Sequence, residues 1–459
     1  MNQTGTAKVL VPTGMLGAGF DPSTVDRGIA LGADVIAVDG GSTDSGPHYL
    51  GQAVAKTAAA AVARDLDVLV RAAKRAGIPL IVGSCGTSGT DTGVDWIAEM
   101  VRSISNDIDE TVTVARIYSE QDTEAVAQYV RSGRVHPLPP AGELDEATAR
   151  RCSHIVGLMG HEPIADAVLR GADVVLAGRA TDTAVLSAVP LLRGCPPGPV
   201  WHSSKIAECG GLCTTTPLRG GVLVSIDPDG FTIEPLDPDI ACTPQSVAAH
   251  MLYENVDPFR MREPAGTVDA RGATYVALDE RRVRVEGSQF IPADVHTVKL
   301  EGSGVTGYET LSLVGIRDPE ILDAIEIWSK TFDTRLAARV SALLNLDPSQ
   351  YDLVTRYYGW NAVLGSLDPD TTTPPREVGV VLRVRAHDQA TATAIAKIAN
   401  PMMLHLPLPG MSHLPSYAFL TSPAELERGP VYEFLLQHAV DVEDPTELFR
   451  TEIEVINHA

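Results

Sequence analysis

The sequence predicts an α/β fold with a mostly parallel, Rossmann-like sheet and flanking helices in its N-terminal part. Three observations point there. Short apolar runs alternate with longer amphipathic stretches, the pattern of successive βαβ units. Long loops rich in glycine and acids follow those apolar runs. The 459 residues also exceed the roughly 250–300 that one core can hold, so a second domain is expected.

Taken in order, Val9–Thr13, Asp34–Val38, Pro79–Val82, Val112–Ile117, His154–Leu158 and Asp173–Ala177 are the candidate strands, most of them parallel. Helical stretches are predicted near Ala53–Ala76, Asp91–Ser105, Thr123–Ser132, Pro163–Arg170 and Thr183–Leu192. Two strands are introduced by the same phrase, Gly32-Ala33-Asp34-Val35 and Gly171-Ala172-Asp173-Val174, where glycine ends one helix before the next apolar run. The Pro/Gly-dense segment Gly194–Pro199 breaks this rhythm. Beyond it, Gly221–Ile226 and Phe231–Pro235, turned by Asp227-Pro228-Asp229-Gly230, read as an antiparallel hairpin. Thr274–Leu278 and Arg282–Glu286 continue the strand character, and Pro319–Leu344 reads as helix. Arg376–Arg385 followed by the helical Gln389–Ile398 suggests a smaller C-terminal α/β unit. The expected division is 1–300, with an antiparallel insertion after about 200, and 301–459.

Charge and cysteine usage exclude several classes. A formal charge of -23 repels nucleic acid and anionic lipid, which bind chiefly by recruiting Lys and Arg. No apolar run is long enough to span a bilayer, and the apolar stretch after Lys8 is broken by Pro12, Gly14 and Gly17. The six cysteines form no C-x-x-C pair and no dense framework, so reduced thiols and a cytoplasmic location are expected. Apolar strands of the C-terminal unit that need a partner suggest a homo-oligomer.

The candidate ligand site follows from where loops leave strands. Gly14–Phe20, Asp39–His48, Gly83–Asp91 and Gly178–Asp182 each follow a predicted strand, so parallel strands would bring them to one edge of the sheet. Ligands of open α/β sheets bind there, facing free backbone N–H groups and helix N-termini. Any one loop is also what an ordinary strand-to-helix turn needs. Gly17-Ala18-Gly19 lacks the dinucleotide spacing, since Pro22 stands where the last glycine belongs, and no Walker A lysine loop occurs. No cofactor is assigned. His48, near Asp39 and Asp44, reads as an acid–base group or a surface hydrogen bonder. Arg179 offers a planar fork for a carboxylate or phosphate, with Asp182 as the alternative internal partner.

The segment Trp201–Cys213 concentrates His202, Lys205, Glu208, Cys209 and Cys213. Glu208 beside Cys209 reads as base and nucleophile, or as hard and soft metal ligands, or as an ion pair with Lys205 at i, i+3. Cys209 and Cys213 lack the second Cys or His pair of a structural zinc site, so no metal is assigned.

Gly17-Ala18-Gly19-Phe20, Ser42-Thr43-Asp44-Ser45-Gly46-Pro47, Glu120-Gln121-Asp122, Ala177-Gly178-Arg179-Ala180-Thr181-Asp182, Lys205-Ile206-Ala207-Glu208-Cys209-Gly210 and Cys242-Thr243-Pro244 follow one another along nearly the whole chain. In this order they resemble the successive signatures of the acyclic terpene utilisation (AtuA-like) family. It implies a role in catabolism of branched or acyclic terpenoid acids, handled as carboxylates or acyl-CoA thioesters. Two classes of function follow: a lyase of hydratase or dehydratase type, or a non-catalytic subunit that holds an acyl ligand or scaffolds a partner enzyme. For the first, Asp44, Asp182 and Glu208 are the expected catalytic carboxylates; Gly19, Ser42, Gly86, Arg179 and Cys209 are the expected substrate-binding residues.

Overall fold

The computed structural model describes residues 5–108, 110–217, 219–369 and 373–456. The chain forms two compact units, one running up to Gly304 and resuming at Phe434, the other Val305–Glu433.

The first unit carries β1 (Ala7–Val11), β2 (Val35–Asp39), β3 (Leu80–Gly83), β4 (Val112–Tyr118), β5 (Val135–Pro137), β6 (His154–Leu158), β7 (Val174–Ala177), β8 (Val222–Asp227) and β9 (Gly230–Pro235). Its main sheet has ten strands in the order Thr274–Ala277, Val283–Glu286, β9, β8, β1, β2, β3, β7, β4, Arg450–Ile456. The pairs from β1 through β2, β3 and β7 to β4 are parallel. The remaining pairs of this sheet are antiparallel, so it is mixed.

The parallel strands are apolar on both sides because both faces are covered. Val9, Val11, Val35 and Ala37 enter one core layer, and Leu10, Ile36 and Val38 enter the other. Helices Ala59–Ala76 and Asp91–Ile108 bury Leu66, Leu69, Val94 and Ile97 in the second layer. Glu162–Leu169 and Asp182–Leu192 supply Ile164, Ala184 and Val185 to the first.

The hairpin predicted after residue 220 is present, with Asp227 opposite Gly230 across its turn. Asp227 accepts the turn's N–H groups of Asp229 and Gly230 at 3.0 and 3.1 Å. One expected strand lies elsewhere. β6 is not in the parallel sheet but pairs antiparallel with Lys299–Ser303 of the long strand His296–Ile316. The reason is an edge already taken: β7 is flanked by β3 and β4, and Arg450–Ile456 covers the outer side of β4. A small antiparallel sheet of Arg260–Glu263, Gly266–Asp269 and Gln289–Pro292 completes the elements that bear on the site.

In the second unit, Tyr308–Ile316 and Tyr351–Tyr358 flank Val378–Ala386, all antiparallel. Val378–Ala386 alternates buried and half-buried residues, the signature of a sheet with one packed face. Helices Ile325–Leu344 and Gln389–His405 bury Trp328, Phe332, Ile395 and Met403 in this unit's own core. No helix of the described residues is long and apolar enough to cross a membrane.

Candidate functional site

Because β1, β2, β3, β7 and β4 run parallel, the loops after them leave the same edge of the sheet. Two close backbone approaches lock those loops together. A Cβ on Gly14 would lie 2.8 Å from the Cys209 carbonyl oxygen, so the loop after β1 packs directly against the turn at Cys209. A Cβ on Gly89, at φ +68°, would lie 2.1 Å from the Arg179 backbone nitrogen. Only glycine permits either approach.

Arg179, just after β7, is the hub. Its N–H donates to Ser119 Oγ at 2.6 Å, and its guanidinium donates to Ser84 Oγ at 3.1 Å, Thr43 Oγ1 at 3.2 Å and Glu301 Oε2 at 2.9 Å. Lys299 Nζ adds an ion pair to the other Glu301 oxygen at 2.7 Å. Burial alone would push Glu301 up, but the Arg179 and Lys299 charges outweigh it and hold the carboxyl at about 2. The partner of Arg179 in the hydrogen-bond network is thus Glu301, to which the sequence assigns no site role, rather than Asp182.

Beside this hub lies a cavity of about 470 Å³, lined among others by Ser42, Asp44, Arg179, Asp182, Lys205, Glu208 and Glu263. Asp182 opens the helix Asp182–Leu192, where the Thr181 side chain caps Ala184 N at 3.1 Å. Burial pushes the Asp182 carboxyl above its ordinary range, more than Arg179 and Lys205 draw it back. Glu208 ends the helix Pro197–Ala207 and accepts from Lys205 Nζ, three residues earlier. This is the i, i+3 pair anticipated from spacing, but it is buried, with side-chain exposures of 7% and 4%. Burial drives Glu208 well up in spite of the lysine. Glu263 ends the strand Arg260–Glu263 and accepts from Thr183 Oγ1 at 2.7 Å and Thr181 Oγ1 at 3.3 Å. Burial raises it to about 7, against those two hydroxyl donors. Asp39, at the end of β2, is buried with Oδ1 unpartnered, and is held well up by burial and by the Asp182 charge.

A second cavity of about 300 Å³ shares Ser42, Asp44 and Asp182 with the first and adds Gly14, Met15, Asp39 and Cys209. A third, about 320 Å³ and more apolar, shares Gly14, Met15 and Cys209 with the second and adds Ala18, Gly19 and Leu212. The expected residues Ser42, Asp44, Arg179, Asp182 and Glu208 therefore line one cavity, while Gly19 and Cys209 line its apolar neighbour. Gly86 lines none of the three. It forms a tight turn at φ +71°, where a Cβ would meet Gly93 Cα at 2.5 Å.

Sequence reasoning missed Glu263, Glu301, Lys299 and His250. None sits in a loop after a parallel strand, and no spacing links them to the residues they face. His250 is the most consequential for ligand chemistry: Glu208, Cys209 and His250 present oxygen, sulfur and nitrogen ligand atoms within 4.8 Å of one another.

Fold and site together define an α/β protein with an acid-rich cleft at the ends of its parallel strands. The family described as acyclic terpene utilisation family protein AtuA matches residues 52–192 and 223–438, and the chain belongs to that family, whose role is the utilisation of acyclic terpenes. The matched segments hold Arg179, Asp182, His250, Glu263 and Glu301, while Ser42, Asp44, Lys205, Glu208 and Cys209 fall outside them. Comparison with curated proteins and with solved structures gives no match.

Proposed function

We propose that this protein is a lyase of hydratase or dehydratase type acting on a branched or acyclic terpenoid acid or its acyl-CoA thioester. The observation that carries the reading is the convergence on one cavity of half-buried Asp182 with the buried carboxyls of Glu208 and Glu263 and the buried Lys205. Perturbed titratable groups in a cleft favour chemistry over passive binding, which needs only donors. The apolar cavity bordered by Met15, Ala18 and Leu212 suits a branched hydrocarbon chain.

In the dehydration direction, ionised Asp182 takes the proton from the carbon next to the carbonyl. The released electron pair forms an enolate-like oxygen, which the Lys205 ammonium stabilises. Protonated Glu263 gives its proton to the β-hydroxyl, the C–O bond breaks, the double bond forms and water leaves. Exchange with solvent then restores both carboxyls. Hydration is the reverse. Glu263, raised to about 7 by burial, can hold the proton near neutrality that a general acid must give up in this step.

The test is mass spectrometry of a panel of branched and acyclic terpenoid acids, free and as CoA thioesters, incubated with the purified protein. The expected result is gain or loss of one water from a panel member, slowed about 10²–10⁴-fold in Asp182→Asn. Saturable binding of a panel member with no change of mass would overturn this reading in favour of an acyl-binding subunit.

A further inference from the structure

We propose that Glu208, Cys209 and His250 bind a divalent transition-metal ion, with zinc the best fit to the donor set. Carboxylate oxygen, thiolate sulfur and imidazole nitrogen are the donor types of zinc sites, and one atom of each lies within 4.8 Å of the others here. Ligand atoms around tetrahedral zinc, with bonds of about 2.0–2.3 Å, sit roughly 3.3–3.8 Å apart, so closure needs side-chain shifts of about an ångström.

A second observation points the same way. His250 is 4% exposed, and its Nε2 is buried without a hydrogen-bond partner. Leaving such an atom unsatisfied is costly, and a cation on the ring removes that cost. Stacking on Tyr253, with ring centroids 5.4 Å apart, holds the imidazole in place. Lys205 beside Glu208 opposes a cation, but Asp182 and Glu254 act on the same Cys209 with the opposite sign.

Three protein ligands leave a fourth position for water or substrate. Glu208 lines the polar cavity and Cys209 the apolar one, so that position faces the cleft. The inference rests on ligand geometry and is independent of the lyase reading.

The experiment is titration of the chelator-stripped, full-length protein with Co²⁺. One equivalent should bind and give a near-ultraviolet thiolate-to-cobalt charge-transfer band. Cys209→Ser should abolish the band, and His250→Ala should weaken binding at least about tenfold, the lower end of what loss of an outer partner costs. Cys213→Ser, which alters a buried thiol outside the ligand set, should leave both unchanged. In the wild-type protein, Zn²⁺ should protect Cys209 from alkylation, a readout that needs no variant. Absence of stoichiometric binding, binding without the thiolate band, or unchanged affinity in folded Cys209→Ser and His250→Ala proteins would overturn the proposal. Turnover is not read, so failure here leaves the lyase reading untouched.

Discussion

Arg179 Nε donates to Glu301 Oε2 at 2.9 Å across 122 residues of sequence, with side-chain exposures of only 8% and 1%. Breaking one partner of such a pair leaves an uncompensated buried charge, which costs about 3–5 kcal/mol. Arg179→Leu and Glu301→Gln are each expected to lose stability on that scale in urea unfolding. Arg179→Lys is expected to recover only part of it, since an ammonium cannot supply the separate donors now aimed at Ser84, Thr43 and Glu301.

Acid unfolding has a definite sign. Glu301 is held at about 2, below the ordinary carboxylate range, so its contribution is present above about pH 4.5 and is lost as pH falls towards 2. The loss is on the order of 3 kcal/mol. Denaturation curves of the wild type should therefore weaken over that window, and Glu301→Gln should show a shallower decline. Equal slopes would contradict the assignment.

Glu263 acts in the opposite sense. A carboxyl raised to about 7 favours the folded state when protonated, so its contribution is present at low pH and is lost as pH rises from about 4.5 through 7. Glu263→Gln is expected to flatten that decline. The same variant should also slow turnover about 10²–10⁴-fold and remove a titration near neutrality from the pH–rate profile.

Gly14→Ala would set a methyl 2.8 Å from the Cys209 carbonyl oxygen. The loop after β1 and the Cys209 turn are then expected to separate, so acyl-ligand affinity should fall with little loss of secondary structure. Calorimetry and circular dichroism on the one variant would check both halves.

Much of the first unit was legible because its signals are local. Five of six candidate strands lie in the main sheet, since runs such as Val35–Val38 are buried on both faces and stand out as apolar blocks. The sixth, β6, has the same composition, and nothing in its sequence reveals that both sides of β7 are occupied. Helix Pro197–Ala207 carries no amphipathic stripe, because Gly198–Ala207 are all buried, so beyond the i, i+3 spacing of Lys205 and Glu208 its sequence does not mark it as a helix. The site divides likewise: Ser42, Asp44, Arg179 and Asp182 follow strands and were visible, whereas Glu263, Glu301 and His250 arrive from distant elements through tertiary packing.

The most direct measurement is a crystal structure with a branched acyl ligand bound. The predicted result has the hydrocarbon chain against Met15, Ala18 and Leu212, and the Asp182 or Glu263 carboxyl within hydrogen-bond reach of the reacting centre, about 2.6–3.2 Å or one water away. A ligand carboxylate held only by backbone N–H groups, with both carboxyls turned away from the acyl carbons, would contradict the catalytic account.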